Sequence, residues 1–74
     1  MFTPTPTQLP QTGATLRAMR EGIGLSLSDL ATRAGTTKTT VSRFERGQRV
    51  ISADLLARIA RVIADETASK RGAA

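Results

Sequence analysis

Three residues, Gly35, Thr36 and Thr37, separate two stretches of helical periodicity, and this short connection restricts the fold more than any other feature. Before it, apolar residues recur at helical spacing, at Leu27, Leu30, Ala31 and Ala34. Glycine commonly takes the left-handed conformation that ends a helix, and threonine commonly caps the start of the next one. A connection this short forces a sharp angle between two helices, which is the description of a helix-turn-helix.

The segment that follows, residues 38–46, has two sides of different character. Val41 and Phe44 lie three residues apart and predict an inner side that packs against the body, and Gly47 predicts where the helix ends. The outer side is predicted to carry short hydroxyls and cations, at Lys38, Thr39, Ser42 and Arg43. Such a helix either is a basic surface helix or lies in a groove of a nucleic acid.

The rest of the chain predicts further helices. One is expected from about Gly13 to Glu21, and a capping signal at Ser26 to Asp29 opens the next. The last helix is expected to start after Ser52 and to lose its apolar pattern after Ile63. Since strand-like alternation is missing, the predicted fold class is all-α, a small bundle of four short helices, or five.

These elements suggest three parts of the chain. Residues 1–12 are rich in Thr and Pro and predict a flexible arm, residues 13–66 the helix-turn-helix domain, and residues 67–74 a polar C-terminal tail. Residues 1–16 contain no Asp, Glu, Lys or Arg, so we expect the arm to add little to the affinity for a polyanion.

Composition excludes several classes of function. A chain of 74 residues forms one small domain at most, and it contains neither Cys nor His. Disulfides, thiolate metal sites and histidine-based catalysis are therefore excluded, and we expect no enzyme, no cofactor and no metal. The sequence has no apolar run near 18 residues and no secretory signal, which predicts a protein that does not enter a membrane and is cytoplasmic.

The charge distribution indicates a polyanionic partner. The net charge is +5, and five basic residues face one acid, Glu45, between Arg33 and Arg49. Lys and Arg side chains reach guanine O6 and N7, and threonine methyls contact thymine methyls. Thr37 and the free N–H groups at a helix start suit a phosphate oxygen, as do Arg46 and Arg49 at the far end.

Residues 16–63 resemble the Cro/phage-repressor helix-turn-helix family, also called the xenobiotic-response-element type. The matching residues are "LRAMREGIGLSLSDLATRAGTTKTTVSRFERGQR" and, further on, "LLARIARVI". The resemblance implies a lambda-repressor-like fold. It also implies that base edges are read by Lys38, Thr39 and Arg43, with Ser42 as a fourth position. Contacts to the DNA backbone are implied for Thr37, Thr40, Arg46 and Arg49. An acid at the position of Glu45 pairs with a first-helix arginine in several phage members, which predicts a partly buried Arg20–Glu45 ion pair.

This chain departs from the family pattern in three places. Leu27 stands where the family usually has a phosphate-binding glutamine. Val50 and Ile51 stand where an Asn-Pro pair is common, so they form either core or an exposed apolar patch. A fifth helix often helps members dimerise, and only about ten polar residues follow Ile63.

The predicted function is a sequence-specific regulator that binds double-stranded DNA, bacterial or phage-encoded and nucleoid-associated, and acts as a repressor. We expect a homodimer, weak or formed on DNA, or else a protein partner. An antitoxin, a restriction–modification controller protein and a plasmid or phage regulator fit equally well. An interaction adaptor on the same fold, with Leu27, Val50 and Ile51 as its contact surface, is the alternative of a different class.

Overall fold

The computed structural model describes residues 10–72, which form four helices. These are α1 (Pro10–Gly22), α2 (Leu27–Ala34), α3 (Lys38–Glu45) and α4 (Ala53–Gly72). No strand occurs within this range, so the predicted all-α fold is confirmed.

Hydroxyl side chains cap the starts of three helices. The Ser26 hydroxyl accepts a hydrogen bond from the Asp29 N–H at 3.0 Å, and the Thr37 hydroxyl accepts one from the Thr40 N–H at 3.2 Å. The Ser52 hydroxyl accepts from the Leu55 N–H at 3.0 Å. Each bond satisfies an N–H group that the helix itself leaves without a partner, and such a cap typically contributes about 1 kcal/mol.

Glycines end α2 and α3 in the same way. Gly35 has φ 75° and Gly47 has φ 74°, a conformation that side-chain-bearing residues rarely adopt. After α2, the Thr36 N–H donates to the Ala31 carbonyl at 2.9 Å, which closes the last turn. The predicted three-residue connection between α2 and α3 is thereby confirmed.

The outer boundaries differ from the prediction. Helix α1 begins at Pro10 rather than near Gly13, so residues 10–12 belong to the helix and not to an arm. Proline is well suited to the first helical turn, because the N–H that it lacks would have no partner there. Residues 1–9 of the predicted arm lie outside the described residues.

At the other end, α4 continues to Gly72 instead of fraying after Ile63. Three interactions support its polar part. The Arg33 Nη1 of α2 lies 2.8 Å from the Glu66 Oε1, the Lys70 Nζ lies 3.9 Å from the Glu66 Oε2, and the Thr67 hydroxyl donates to the Ile63 carbonyl at 2.8 Å. The expected tail at residues 67–72 is therefore helical, and no fifth helix occurs within residues 10–72.

The core lies where α2 packs against α3 and α4, with α1 closing the side toward α3. Its largest fully buried side chains are Leu30, Val41, Ile59 and Ile63. Full burial of an aliphatic side chain of this size contributes about 1.5–3 kcal/mol, so this core holds α3 by its inner side. No helix in the described part of the chain is long and apolar enough to cross a membrane.

Candidate nucleic-acid interface

Helix α3 has an inner and an outer side, as its sequence predicts. Val41 is fully buried and Phe44 is 2% exposed. The predicted base-reading residues lie on the opposite side, where Lys38, Thr39 and Arg43 are exposed and Ser42 is half-buried. Since residues three and four apart are neighbours on a helix, Thr39, Ser42, Arg43 and Arg46 form one continuous outer surface.

Glu45 is the one acidic residue of α3, and its carboxylate is turned inward. It accepts two hydrogen bonds from Arg20 of α1, from Nε at 2.8 Å and from Nη2 at 3.1 Å. The Arg20 and Glu45 side chains are only 10% and 4% exposed. The remaining terminal nitrogen of Arg20 donates to the Leu25 carbonyl at 2.9 Å, which ties the turn after α1 to the same group. The predicted Arg20–Glu45 pair is confirmed and is buried more completely than expected.

The pair also favours the charged form of the arginine. The hydrogen bond to Glu45 raises the pKa of Arg20 above its usual value, and the negative charges of Glu45 and Glu21 act in the same direction, whereas burial opposes them. The pair therefore offsets the cost of burying this charge. No buried side-chain N or O atom among the described residues lacks a hydrogen-bond partner.

Within residues 10–72, the positive charge on the outer side of α3 is not balanced by any acid. Elsewhere in the described chain, ion pairs occupy all cations except Arg61 and Arg71, namely Arg17, Arg20, Arg33, Arg58 and Lys70. In contrast, Lys38, Arg43, Arg46 and Arg49 form no ion pair within residues 10–72, although all four are exposed. Because the one acid of this segment is neutralised from behind by Arg20, the surface suits a polyanion.

The start of α3 is arranged for an anion in a particular way. The Thr37 hydroxyl caps the helix and also donates to the Thr40 hydroxyl at 2.9 Å. This leaves the Thr40 hydroxyl hydrogen as the one available to a bound phosphate oxygen. The backbone N–H groups of Lys38 and Thr39 add two more donors at the positive end of the helix.

Beyond α3, the chain turns through Gly47 and presents two more cations. Arg46 follows the last helical residue, and its Nε makes a long 3.4 Å contact with the Ser42 carbonyl. The Gln48 N–H donates to the Arg43 carbonyl at 2.8 Å, which fixes the turn before Arg49. Both arginines thus stand at the end of α3 opposite to Thr37.

Two of the family departures are accommodated by the core. Leu27 is half-buried and packs against the hydrophobic core, and Ile51 is 6% exposed within it. Val50, directly before Ile51, is 69% exposed. The contact surface that an adaptor would use is therefore reduced to one of its three predicted residues.

Sequence reasoning missed Gly13, which is buried where α1 crosses the end of α3. A Cβ at this position would lie 2.0 Å from the Phe44 carbonyl oxygen and 3.0 Å from the Glu45 Cα. No local signal marks this contact, because it joins residues that are far apart in the chain. A glycine inside a helix, where alanine is favoured, is the only hint.

Known proteins resemble this chain in sequence and in fold. A family model described as a helix-turn-helix domain matches residues 11–64. Over 36 residues the chain is 56% identical to a Pyrobaculum aerophilum protein that is provisionally named an HTH-type transcriptional regulatory protein. That match covers 49% of this chain but only 14% of the relative, so the chain spans a small part of that protein's length.

Two crystal structures of the clp gene regulator ClgR from Corynebacterium glutamicum are similar to the whole described fold. The first has a TM-score of 0.72 at 29% identity and covers 96% of both chains. The second has a TM-score of 0.71 at 30% identity and covers 95% of this chain and 79% of the other. The sequence identity, together with the shape, relates the chain to gene regulators.

Proposed function

The chain belongs to the helix-turn-helix domain family, and on this premise we propose that it is a sequence-specific regulator of transcription that binds double-stranded DNA with the outer side of α3. The observation that carries the proposal is the charge of that side. Lys38, Arg43, Arg46 and Arg49 are exposed and form no ion pair in the part of the chain that the structure describes, while the neighbouring Glu45 is turned into the body.

This surface makes two kinds of contact with DNA, to base edges and to phosphates. Lys38, Thr39, Ser42 and Arg43 lie along the middle of the outer side and read base edges in the major groove. Phosphates are held on either side, by the Thr40 hydroxyl that Thr37 orients at the start of α3 and by Arg46 and Arg49 beyond its end. A helix anchored by Val41 and Phe44 is rigid enough to present both sets together.

Repression is the mode of regulation that we propose. A small domain seated in the major groove of a promoter excludes other proteins from that site. Since one helix reads only a few base pairs, specificity requires two copies on the same site. The recognition helices of a symmetric pair lie about 34 Å apart on palindromic half-sites.

Selection from a pool of random duplexes tests the proposal directly. We expect one recovered motif, and its symmetry reports whether two copies bind. Affinity for the recovered duplex is then measured over a range of salt concentrations. Arg46 and Arg49 neutralise two phosphates in each bound copy, which predicts that log K falls with log salt at a slope of about −1.8 per copy.

The alternative adaptor function makes the opposite prediction. An adaptor recovers no motif and shows no salt-dependent binding to any duplex, and Val50→Ser abolishes capture of its protein partner. We favour DNA binding because Leu27 and Ile51, two of the three residues an adaptor surface needs, pack into the core.

A further inference from the structure

We propose that Gly13 is a positioning residue for DNA recognition, which sets the tilt of α3 in the groove without contacting DNA itself. The inference rests on the proposed function, because it concerns how the same surface is aimed. It assigns a functional role to the first turns of α1, which carry none of the base-reading or phosphate-binding residues.

The backbones of α1 and α3 come very close to each other at Gly13. Gly13 faces the Phe44 carbonyl and the Glu45 Cα so closely that a Cβ would lie 2.0 Å from that oxygen. Real Cβ atoms do not come nearer than 3.0 Å to such an atom, so any other residue must displace one of the two helices by about 1 Å or more. Both atoms that block the Cβ belong to the backbone and cannot rotate away.

The contact falls at the end of α3. The start of α3 is tied to α2 by the three-residue connection, whereas its end packs against α1 through Gly13 and through Arg20, two turns further along the same face. Displacing the end while the start stays fixed turns the helix about its start. An eight-residue helix is about 12 Å long, so a shift of 1 Å at its end is a tilt of about 5°.

A displacement of this size exceeds the tolerance of base recognition. Side chains that read base edges must be held within about 0.5 Å of their working geometry. Arg43, near the moving end, is displaced more than Lys38, near the fixed one. Gly13 therefore governs readout at the position of Arg43.

The experiment compares three variants on the duplex recovered by selection from the wild-type chain. Gly13→Ala is the test. Gly22→Ala is the matched control on the same helix, since a Cβ there meets nothing within 4 Å. Ile63→Val is the control for stability, since Ile63 is buried on α4, away from the contact between α1 and the end of α3. Affinity for the selected duplex, for duplexes changed at one base pair and for unrelated DNA is measured well below every melting temperature.

We expect Gly13→Ala to lose about 5- to 150-fold in affinity for the selected duplex, the range for one good base contact, with binding to unrelated DNA changed less than about twofold. Preference is relaxed at the base pair that Arg43→Ala also relaxes and is retained at the one that depends on Lys38. Neither control changes the ratio of specific to unrelated binding.

Three results overturn the inference. One is an unchanged ratio of specific to unrelated binding in Gly13→Ala. Another is an equal fall of this ratio in Ile63→Val, when the two variants have the same melting temperature. The third is a Gly13→Ala chain that no longer folds, since the glycine then serves the fold as a whole. A wild-type chain that selects no duplex overturns the proposed function as well, so the two failures are distinguishable.

Discussion

The Arg20 guanidinium of α1 holds the Glu45 carboxylate at the end of α3 through hydrogen bonds of 2.8 and 3.1 Å, across 25 residues of sequence. This pair both anchors α3 and removes the one negative charge from its outer side. Stability and the proposed DNA recognition therefore depend on the same contact.

Glu45→Ala is expected to destabilise the fold by about 3–5 kcal/mol, because it leaves the Arg20 charge buried without its partner. In a domain of this size each kcal/mol lowers the melting temperature by roughly 4–8 °C. Asp54→Ala is the control, since Asp54 pairs with Arg58 at the surface and its loss costs under about 1 kcal/mol. Equal melting temperatures for the two variants would end the idea of a stabilising buried pair.

The outer side of α3 predicts two classes of DNA-binding variant. Lys38→Ala or Arg43→Ala is expected to relax the preference for one base pair, at about 1–3 kcal/mol of discrimination. Arg49→Ala is expected to weaken binding to all sequences alike and to make the salt slope shallower by about one unit. The measurement is affinity for a panel of single-base variants at several salt concentrations. Identical behaviour of all three variants contradicts the division into base readers and phosphate contacts.

The contact between α2 and the polar part of α4 predicts a pH dependence. The hydrogen bond from Arg33 lowers the pKa of Glu66, and the positive charges of Arg33 and Lys70 add to this effect. A lowered carboxylate pKa means that the ionised form stabilises the folded state. This stabilisation is fully present above the pKa of an unfolded glutamate, about 4.3, and is lost as pH falls through the lower folded value.

Glu66→Gln is therefore expected to melt below the wild-type chain at pH 6–7 by a constant margin that closes as the pH falls below about 4. Asp65→Asn is the neighbouring control, because Asp65 is exposed and forms no ion pair within residues 10–72. Melting curves from pH 3 to 7 give the result. A margin that does not change with pH means that the Arg33–Glu66 pair does not act through its charge.

Removal of residues 1–9 is expected to leave DNA affinity almost unchanged, since this segment has no charged side chain. The shortened chain begins at Pro10, where α1 begins, so that the helix is kept whole. Affinity for the selected duplex is compared with that of the full chain at two salt concentrations. A large loss would show that the segment binds a groove or a second copy.

Local features of this fold were predictable, because each depends on residues close together in the chain. The caps at Ser26 and Thr37 and the glycine stops at Gly35 and Gly47 are examples, since residue type alone determines them. The inner and outer sides of α3 follow from its periodicity in the same way. These features predicted the helix-turn-helix and most of the candidate surface.

Contacts between distant parts of the chain were harder to predict from the sequence. The Arg20–Glu45 pair was expected only from the family resemblance, and the Gly13 contact with Phe44 was missed, because neither has a local signature. Val50 and Ile51 could not be told apart, since a loop has no period that assigns a buried side. The start of α1 was misplaced because its Thr/Pro composition argued against a helix that proline in fact suits at its first position.

The central claim, that α3 enters the major groove by its outer side, is tested by titrating the isotope-labelled chain with the selected duplex and recording its backbone amide NMR signals. We expect the largest shifts in residues 37–49 and unchanged amide signals in α4 beyond Ile63. Shifts concentrated on α4, or none in residues 38–46 at saturating duplex, would contradict it.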